Sequence, residues 1–409
     1  MQFFKSCLML LILCSVEQQV IFAQSSVSYS KTLTTKKLYI NPDYARGGLD
    51  STIFKNVTFI PLETTKESLF GKVTKLEITN KYFIVSDQNT SSILIFDKTG
   101  KFKAKIDGSR FERGISVDFT VDQEQGLIIS RTFKTLLWFD FDGKVVKQSP
   151  MNELYATVAS LNSTTLVYSP FVYLTNSIKK DSVNHFIKYL KNLKADKQLL
   201  PFKVLQYGTP ANLATMDTQK PYHFYYSGIK DKLLFTGNYN SKIYELSSSG
   251  IQNTYSLIFP QANSLPVDSI ASLPSVIEMQ TYLRKNERQI YNLRGLYSIG
   301  NSLYFETVMT SLMAKDRYFI YNLKTQDLIS LNKVSPGVMS NYLPLLSYYG
   351  SIIGCDGKYI YSTVSSLDMF QAKEATTDKE PNYPPVLQEY FRTQDRKSNP
   401  VIVQLQPAL

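Results

Sequence analysis

Histidine is nearly missing from this chain: His185 and His223 are the only two among 409 residues. Zinc sites draw mainly on His and Cys, and neither an H-E-x-x-H nor a C-x-x-C spacing occurs, so a catalytic zinc is not expected. A Ser-His-Asp nucleophile would have to recruit one of those two side chains, and no G-x-S-x-G stretch accompanies them. The glycine patterns of phosphate and dinucleotide loops are lacking too, as is the acidic spacing of an EF-hand. The sequence therefore implies no metal and no cofactor.

Cysteine is almost as scarce. Two of the three, Cys7 and Cys14, fall in an N-terminal stretch with Lys5, apolar Leu8 to Leu13, Val20 to Phe22, and then Ala23 before polar "QSSVSYS". This reads as a secretory signal over residues 1–23, cleaved after Ala23. The run is too short and too broken for a membrane span. Lipid attachment at Cys14 is the less favoured reading, because bulky Leu13 precedes it. Cleavage leaves Cys355 alone, so no intrachain disulfide forms and the core must hold the fold. Cys355 sits in "SIIGCDGKYIYS", a strand-turn-strand context that reads as a buried, inert thiol. The expected location is extracytoplasmic, in the periplasm or at the cell surface, with no transmembrane segment in the mature chain. Concentrated charge is also lacking. The net charge is +11, but the lysines are scattered, and the densest group is only Lys188, Lys191, Lys194 and Lys197. Export and scatter together argue against a nucleic-acid partner.

Aromatic residues are plentiful, with 28 Tyr and 24 Phe, and they favour strands. "ILIFDKTGKFKAKI" (Ile93 to Ile106) is echoed by "LLWFDFDGKVVKQS" (Leu136 to Ser149), and each follows a short apolar strand. The same shape returns at Thr164 to Leu200, Lys232 to Leu257, Ser302 to Leu331 and Gly357 to Val364, giving six units. A period of roughly 40 to 50 residues, each unit a small sheet, is the pattern of a β-propeller. The expected fold is all-β: a six-bladed β-propeller of four-stranded antiparallel blades over residues 53–409. The last unit is short of strands. "NPVIVQLQ" (Asn399 to Gln406) and "FKNVTFIPLETT" (Phe54 to Thr65) are the strands expected to complete it and close the ring. Residues 24–52 are expected to be a leader, mostly loop. "DSIASLPSVIEMQTYLRKNERQIYN", residues 268–292, carries helical spacing and predicts a helical insertion of about four turns between blades four and five. A long loop with a short helix near Val386 to Phe391 is expected before the last strand.

The stretch "VTFIPLETTKESLFGKVTKLEITNKYFIVSD", the turn "ILIFDKTGKF" and the closing Asn399-Pro400-Val401 together resemble the exported six-bladed β-propeller proteins of Bacteroidetes. The resemblance covers essentially the whole mature chain. It implies export and a setting near polysaccharide-use or nutrient-uptake systems. One departure stands out: where the family often carries a Gly-x-Gly-Pro-x-Glu-aromatic run, this chain has "DGSRFERGISVDFTVD", Asp107 to Asp122, without the proline. Asp-Ser/Thr triplets of the kind O-glycosylated in such exported proteins occur at Asp50, Asp181 and Asp268.

Propellers bind ligands at the mouth of the central channel. Chain order places Arg110, Arg113, Arg131, Tyr225, Tyr226 and Glu306 as candidate ligand-binding residues there. Tyr and Arg suit sugars, carboxylates and peptides. The leading expectation is a non-catalytic binding or scaffold module for a saccharide or peptide, or for an outer-membrane partner protein. The alternative is a saccharide lyase or hydrolase using carboxylates, with Asp87, Asp118, Asp122 and Glu306 as candidates.

Overall fold

In the computed structural model, residues 34–112, 114–170, 183–203, 224–237, 240–266, 270, 273, 276–309, 317–347 and 350–408 are described. Contacts separate Met1–Thr34 from Thr35–Leu409. The signal segment, Arg113 and His223 lie outside the described residues.

The repeated turns fold alike, for a visible reason. Asp97 accepts from the N–H groups of Thr99 and Lys101 at 2.8 and 3.0 Å. Asp140 accepts from those of Asp142 and Lys144 at 3.0 and 2.9 Å. Gly100 and Gly143 finish the turns at φ +89° and +79°, where glycine carries no steric cost. A Cβ on Gly100 would lie 2.1 Å from the carbonyl oxygen of Pro61, so this turn is pressed against the neighbouring sheet.

Six sheets follow one another along the chain as a six-bladed β-propeller. Blade one is Lys75–Ile78, Tyr82–Asp87, Ser92–Asp97 and Phe102–Asp107; blade two is Thr120–Asp122, Leu127–Arg131, Thr135–Phe139 and Val145–Pro150. Blade three is Tyr155–Asn162, Thr165–Pro170, Val183–Lys191 and Lys194–Lys203. Blade four runs Phe224–Tyr226, Leu233–Phe235, Lys242–Ser247 and Gly250–Ile258; blade five runs Ile290–Ile299, Ser302–Met309, Tyr318–Asn322 and Leu328–Ser335. Blade six is Gly354–Cys355, Ile360–Val364, Val401–Pro407 and, outermost, Phe54–Pro61. The first-named strand of each blade is the innermost.

Both faces of a blade are buried around its two middle strands, which is why strands such as Ser92–Asp97 and Thr135–Phe139 are apolar almost without interruption. Ile93 and Ile95 face the core shared with blade two, while Leu94 and Phe96 face the core shared with blade six, and all four are fully buried. Alternation sends successive side chains to opposite faces. Burying each such side chain contributes about 1.5–3 kcal/mol. The ring is closed between chain ends: Val401 pairs with Pro61, Val403 with Phe59 and Leu405 with Val57, antiparallel.

The leader departs from expectation. Thr34–Tyr39 and Arg46–Leu49 are strands rather than loop, and they join the outer edges of blades four and five, which thereby have five strands instead of four. An uncovered outer strand presents a row of unpaired N–H and C=O groups, and the leader covers two such rows. Its second strand runs parallel to Leu328–Ser335. Gly47 permits the approach, since a Cβ there would stand 2.2 Å from the carbonyl oxygen of Lys333. Buried Asp50 then anchors the leader by accepting from the N–H groups of Gly337 and Ser340 at 2.8 and 3.0 Å. Asp50 also heads the only Asp-Ser/Thr triplet lying wholly in the described residues, and Ser51 beside it is exposed.

Among the described residues, three helices of nine or ten residues stand outside the sheets. Val276–Lys285 lies in sequence between blades four and five, and Pro274, where the expected helix begins, lies outside the described residues. Pro385–Thr393 matches the short helix read before the last strand. Ser366–Ala375, capped by Ser365 accepting from the Asp368 N–H at 3.1 Å, was not legible, because its apolar residues do not gather into one stripe.

Candidate functional site

The innermost strands of blades one, four, five and six wall a cavity in the channel, with about 630 Å³ of empty space, part of it open to solvent. Its position follows from alternation. On an inner strand the side chains that do not pack between blades turn toward the channel, so "KLEI" sends Leu76 and Ile78 into a core and leaves Lys75 and Glu77 on the cavity wall.

Blade five contributes through a bulge. The pairing of Ile290–Ile299 with Ser302–Met309 shifts register between Arg294 and Tyr297, and Gly295 takes φ +59° there. Its carbonyl accepts from the buried Tyr318 hydroxyl at 2.5 Å. Bulges re-aim neighbouring side chains, and here Arg294 lines the cavity. Its Nε and Nη2 donate to Glu306 Oε2 and Oε1 at 2.9 and 3.0 Å, a bidentate pair.

On the wall from blade one, one ammonium serves two carboxylates. Lys75 Nζ donates to Asp118 Oδ1 at 2.9 Å and to the Phe119 carbonyl at 2.5 Å, and it stands 3.6 Å from Glu77 Oε1. Burial alone would lower the Lys75 pKa, but Asp118 and Glu77 outweigh it and the pKa is raised. Glu77 is left with the poorer contact. Its burial, with Asp118 adding repulsion, outweighs the pull of Lys75 and raises its carboxyl above the usual range. Asp118 Oδ2 is buried without a hydrogen-bond partner.

Tyrosines fill much of the remaining wall. The rings of Tyr225 and Tyr297 meet edge-on at 5.8 Å. Burial raises the Tyr297 hydroxyl well above its ordinary pKa, and burial also raises Tyr226. Cys355 lines the cavity, but burial pushes its thiol up to about 12. It donates to the Ser227 carbonyl at 3.7 Å. A thiol is a nucleophile only as thiolate, so this one is chemically quiet.

The sequence-derived candidates divide. Tyr225, Tyr226 and Glu306 line the cavity together. Arg110 does not: it ends the turn after the outermost strand of blade one, its side chain is 82% exposed, and its nearest partner is Asp107 at 3.8 Å. Placing it at the channel mouth was wrong because the linker between blades begins at the rim. Arg131, half-buried at the end of Leu127–Arg131, also lines no part of the cavity. The four carboxylates separate as well. Asp87 accepts from the N–H groups of Asn89 and Thr90, and Asp122 from those of Glu124 and Gln125; both are turn hubs. Asp118 and Glu306 are ion-paired. His185 lies on Val183–Lys191, where burial lowers its pKa. Among the described residues no group of acidic, His and Cys side chains is arranged to hold a metal ion. Sequence reading missed Lys75, Glu77, Arg294 and Tyr297. The available signal was charged residues alternating with apolar ones on innermost strands.

A family model described as a domain of unknown function, DUF4934, matches residues 49–406. The chain belongs to the DUF4934 family. Among solved structures, a candidate exported protein of Bacteroides fragilis (BF0058) is similar at a TM-score of 0.66 and 15% identity, over 92% of this chain and 100% of that one. This likeness supports the fold. A DUF4221 family member from Bacteroides vulgatus matches at a TM-score of 0.47 and 12% identity, over 87% of this chain and 96% of that one. A comparison with curated proteins found no match. Among the described residues no helix is long and apolar enough to cross a membrane.

Proposed function

We propose that this DUF4934 propeller is an exported binding module that holds a small saccharide or peptide in the channel cavity without covalent chemistry. Export is supported by the signal-like residues ending at Ala23, and the similar Bacteroides fragilis structure belongs to a candidate exported protein. The observation that carries the binding reading is the bidentate Arg294–Glu306 pair set among Tyr225, Tyr226 and Tyr297. It is a planar, charged pair in a cavity that three tyrosines also line. Such surroundings grip polyhydroxylated or amide ligands through ring faces and fixed hydrogen bonds. Arg294 and Glu306 are already engaged with each other, which suits orientation of a ligand better than attack on it.

Thermal-shift screening of the purified chain against neutral oligosaccharides and short peptides tests this. A true ligand at a hundred times its Kd stabilises by about 2.7 kcal/mol. Tyr226→Ala is expected to remove that shift. No stabilisation by any member of either class would overturn the reading.

One observation favours a second reading. Glu77, with its raised pKa, faces the same cavity as Glu306. A carboxyl with a raised pKa sharing a cavity with a second carboxylate is the kind of pairing used to cleave glycosidic bonds. New reducing ends or unsaturated sugars released from oligosaccharides, and lost in Glu77→Gln, would establish the enzyme.

A further inference from the structure

A second depression opens at one end of the channel, where the loops between the first and second strands of blades one, two, four and six converge. It has about 900 Å³ of empty space, part of it open to solvent. Thr79, Gln123, Gly228 and Asp356 come from those four loops, and Lys98 comes from the turn between the third and fourth strands of blade one. Ile78 and Tyr226 are shared with the channel cavity.

We propose that this groove binds an acidic saccharide, with Lys98 receiving its carboxylate and the neighbouring tyrosines and amides receiving its ring. The inference is independent of what fills the channel cavity. Three observations carry it.

The first is charge balance. Asp356, the groove's one carboxylate, is fully engaged: Oδ1 accepts from the N–H groups of Lys358 and Tyr359 at 3.0 and 2.8 Å, and Oδ2 from the Tyr361 hydroxyl at 2.5 Å. Among the described residues no carboxylate comes within ion-pair distance of Lys98. Its ammonium lies instead over the Phe83 ring at 4.2 Å and 5.9 Å from the Tyr361 ring centre. Asp356 acts on Lys98 only through space, and the lining sets two ammonium groups, Lys98 and Lys358, against that one carboxylate, so the net charge of the groove is positive.

The second is the same position in the next blade. The residue after the turn-forming aspartate is Lys98 in blade one and Phe141 in blade two. Phe141 packs on Tyr82 at 4.9 Å between ring centres. An aromatic residue thus meets the packing requirement of this position. Lysine there keeps a cation partly out of water, and burial lowers its pKa to about 8. A bound carboxylate offsets that cost.

The third is the lining. Tyr359 and Tyr361 offer ring surface, and the Gln404 amide, which donates to the Tyr361 hydroxyl at 2.9 Å, keeps its carbonyl oxygen for a ligand. Ring faces beside fixed amides fit sugar rings.

The titratable groups facing Lys98 are Asp356, Lys358, Tyr226, Tyr359 and Tyr361. Burial raises Tyr226, and burial with the Asp356 contact raises Tyr361, so both stay neutral up to pH 9.5. Loss of affinity between pH 7 and 9.5 that is absent from Lys98→Met then reports the Lys98 amine.

The test is isothermal titration of the whole chain with tri-galacturonate and with its methyl ester, which keeps the rings and removes the charge. The acid is expected to bind at least tenfold more tightly than the ester at pH 7, and to lose that advantage at pH 9.5. Lys98→Met keeps the stem over the rings, so the melting temperature should hold while acid affinity falls tenfold or more. Equal affinity for acid and ester, no binding of the acid, or full acid affinity in Lys98→Met overturns the proposal. Loss of acid binding in Glu306→Gln but not in Lys98→Met would place the acid in the channel and overturn it equally.

Discussion

The side-chain oxygen of Asn399 accepts a hydrogen bond from the backbone N–H of Phe70 at 3.0 Å, across 329 positions of sequence. The Asn399 amide donates to the carbonyls of Glu63 and Ser68 at 2.8 and 2.9 Å. One fully buried side chain thus stitches the last strand to the loop that leads into blade one.

Asn399→Ala leaves the buried Phe70 N–H and the Ser68 carbonyl unpaired, while the Glu63 carbonyl still accepts from the Ser68 hydroxyl at 2.7 Å, so it is expected to destabilise by about 2 kcal/mol or more. Asn399→Asp should fare no better, because a carboxylate would face two carbonyl oxygens. Urea unfolding of both variants measures this, and a loss under 1 kcal/mol in each would show the contact to be dispensable.

Removing residues 399–409 takes away the strand between Ile360–Val364 and Phe54–Pro61 and opens the ring. Soluble folded protein is expected to be lost. Removing the chain up to Leu49 should be milder: blades four and five keep four strands each, but their outer edges are bared. That variant is expected to fold and to self-associate through those edges, seen as larger species in size-exclusion chromatography. Indifference to both truncations would contradict closure by chain ends.

The raised pKa of Glu77 has a pH signature. The folded state holds this proton at pH values where the unfolded chain has released it. Stability therefore falls as pH rises from the ordinary glutamate range to the raised folded value. Glu77→Gln removes the penalty and is expected to be more stable than the parent at pH 7, with the gain vanishing in acid. Melting temperatures across pH 3 to 8 check the sign, and a gain that grows toward acid would refute it.

Cys355, with its thiol pushed up to about 12, should resist alkylation. Iodoacetamide at pH 8 is expected to leave the folded chain unlabelled and to modify it fully in denaturant, as read by mass spectrometry. Rapid labelling of folded protein would mean the thiol is exposed.

The blades were readable because both faces of each sheet are buried: runs such as Ile93 to Phe96 have no polar side, and the Asp97 and Asp140 turns punctuate them. The leader was not readable. In Thr34–Tyr39 only Leu38 is buried, since an added edge strand has most of its surface in water. Tyr225 and Tyr226 were legible as cavity residues because chain order alone assigns them to the inner strand of blade four; Glu306, on the second strand of blade five, lines the cavity as well. Arg294 needed the bulge at Gly295 to be known. Lys98 looked like one more turn lysine, and only the ring of Tyr361, from a strand far along the chain, gives it a setting.

The leader also bears on the order of events when the chain is made. Arg46 bonds Asp327, 281 positions ahead of it, and Phe54–Pro61 pairs with Val401–Pro407, far along the chain. The leader strands therefore wait for blades four and five, and non-local pairing of this kind is slow. Until Val401–Pro407 arrives, Phe54–Pro61 has no partner strand and the ring has nothing to seal it.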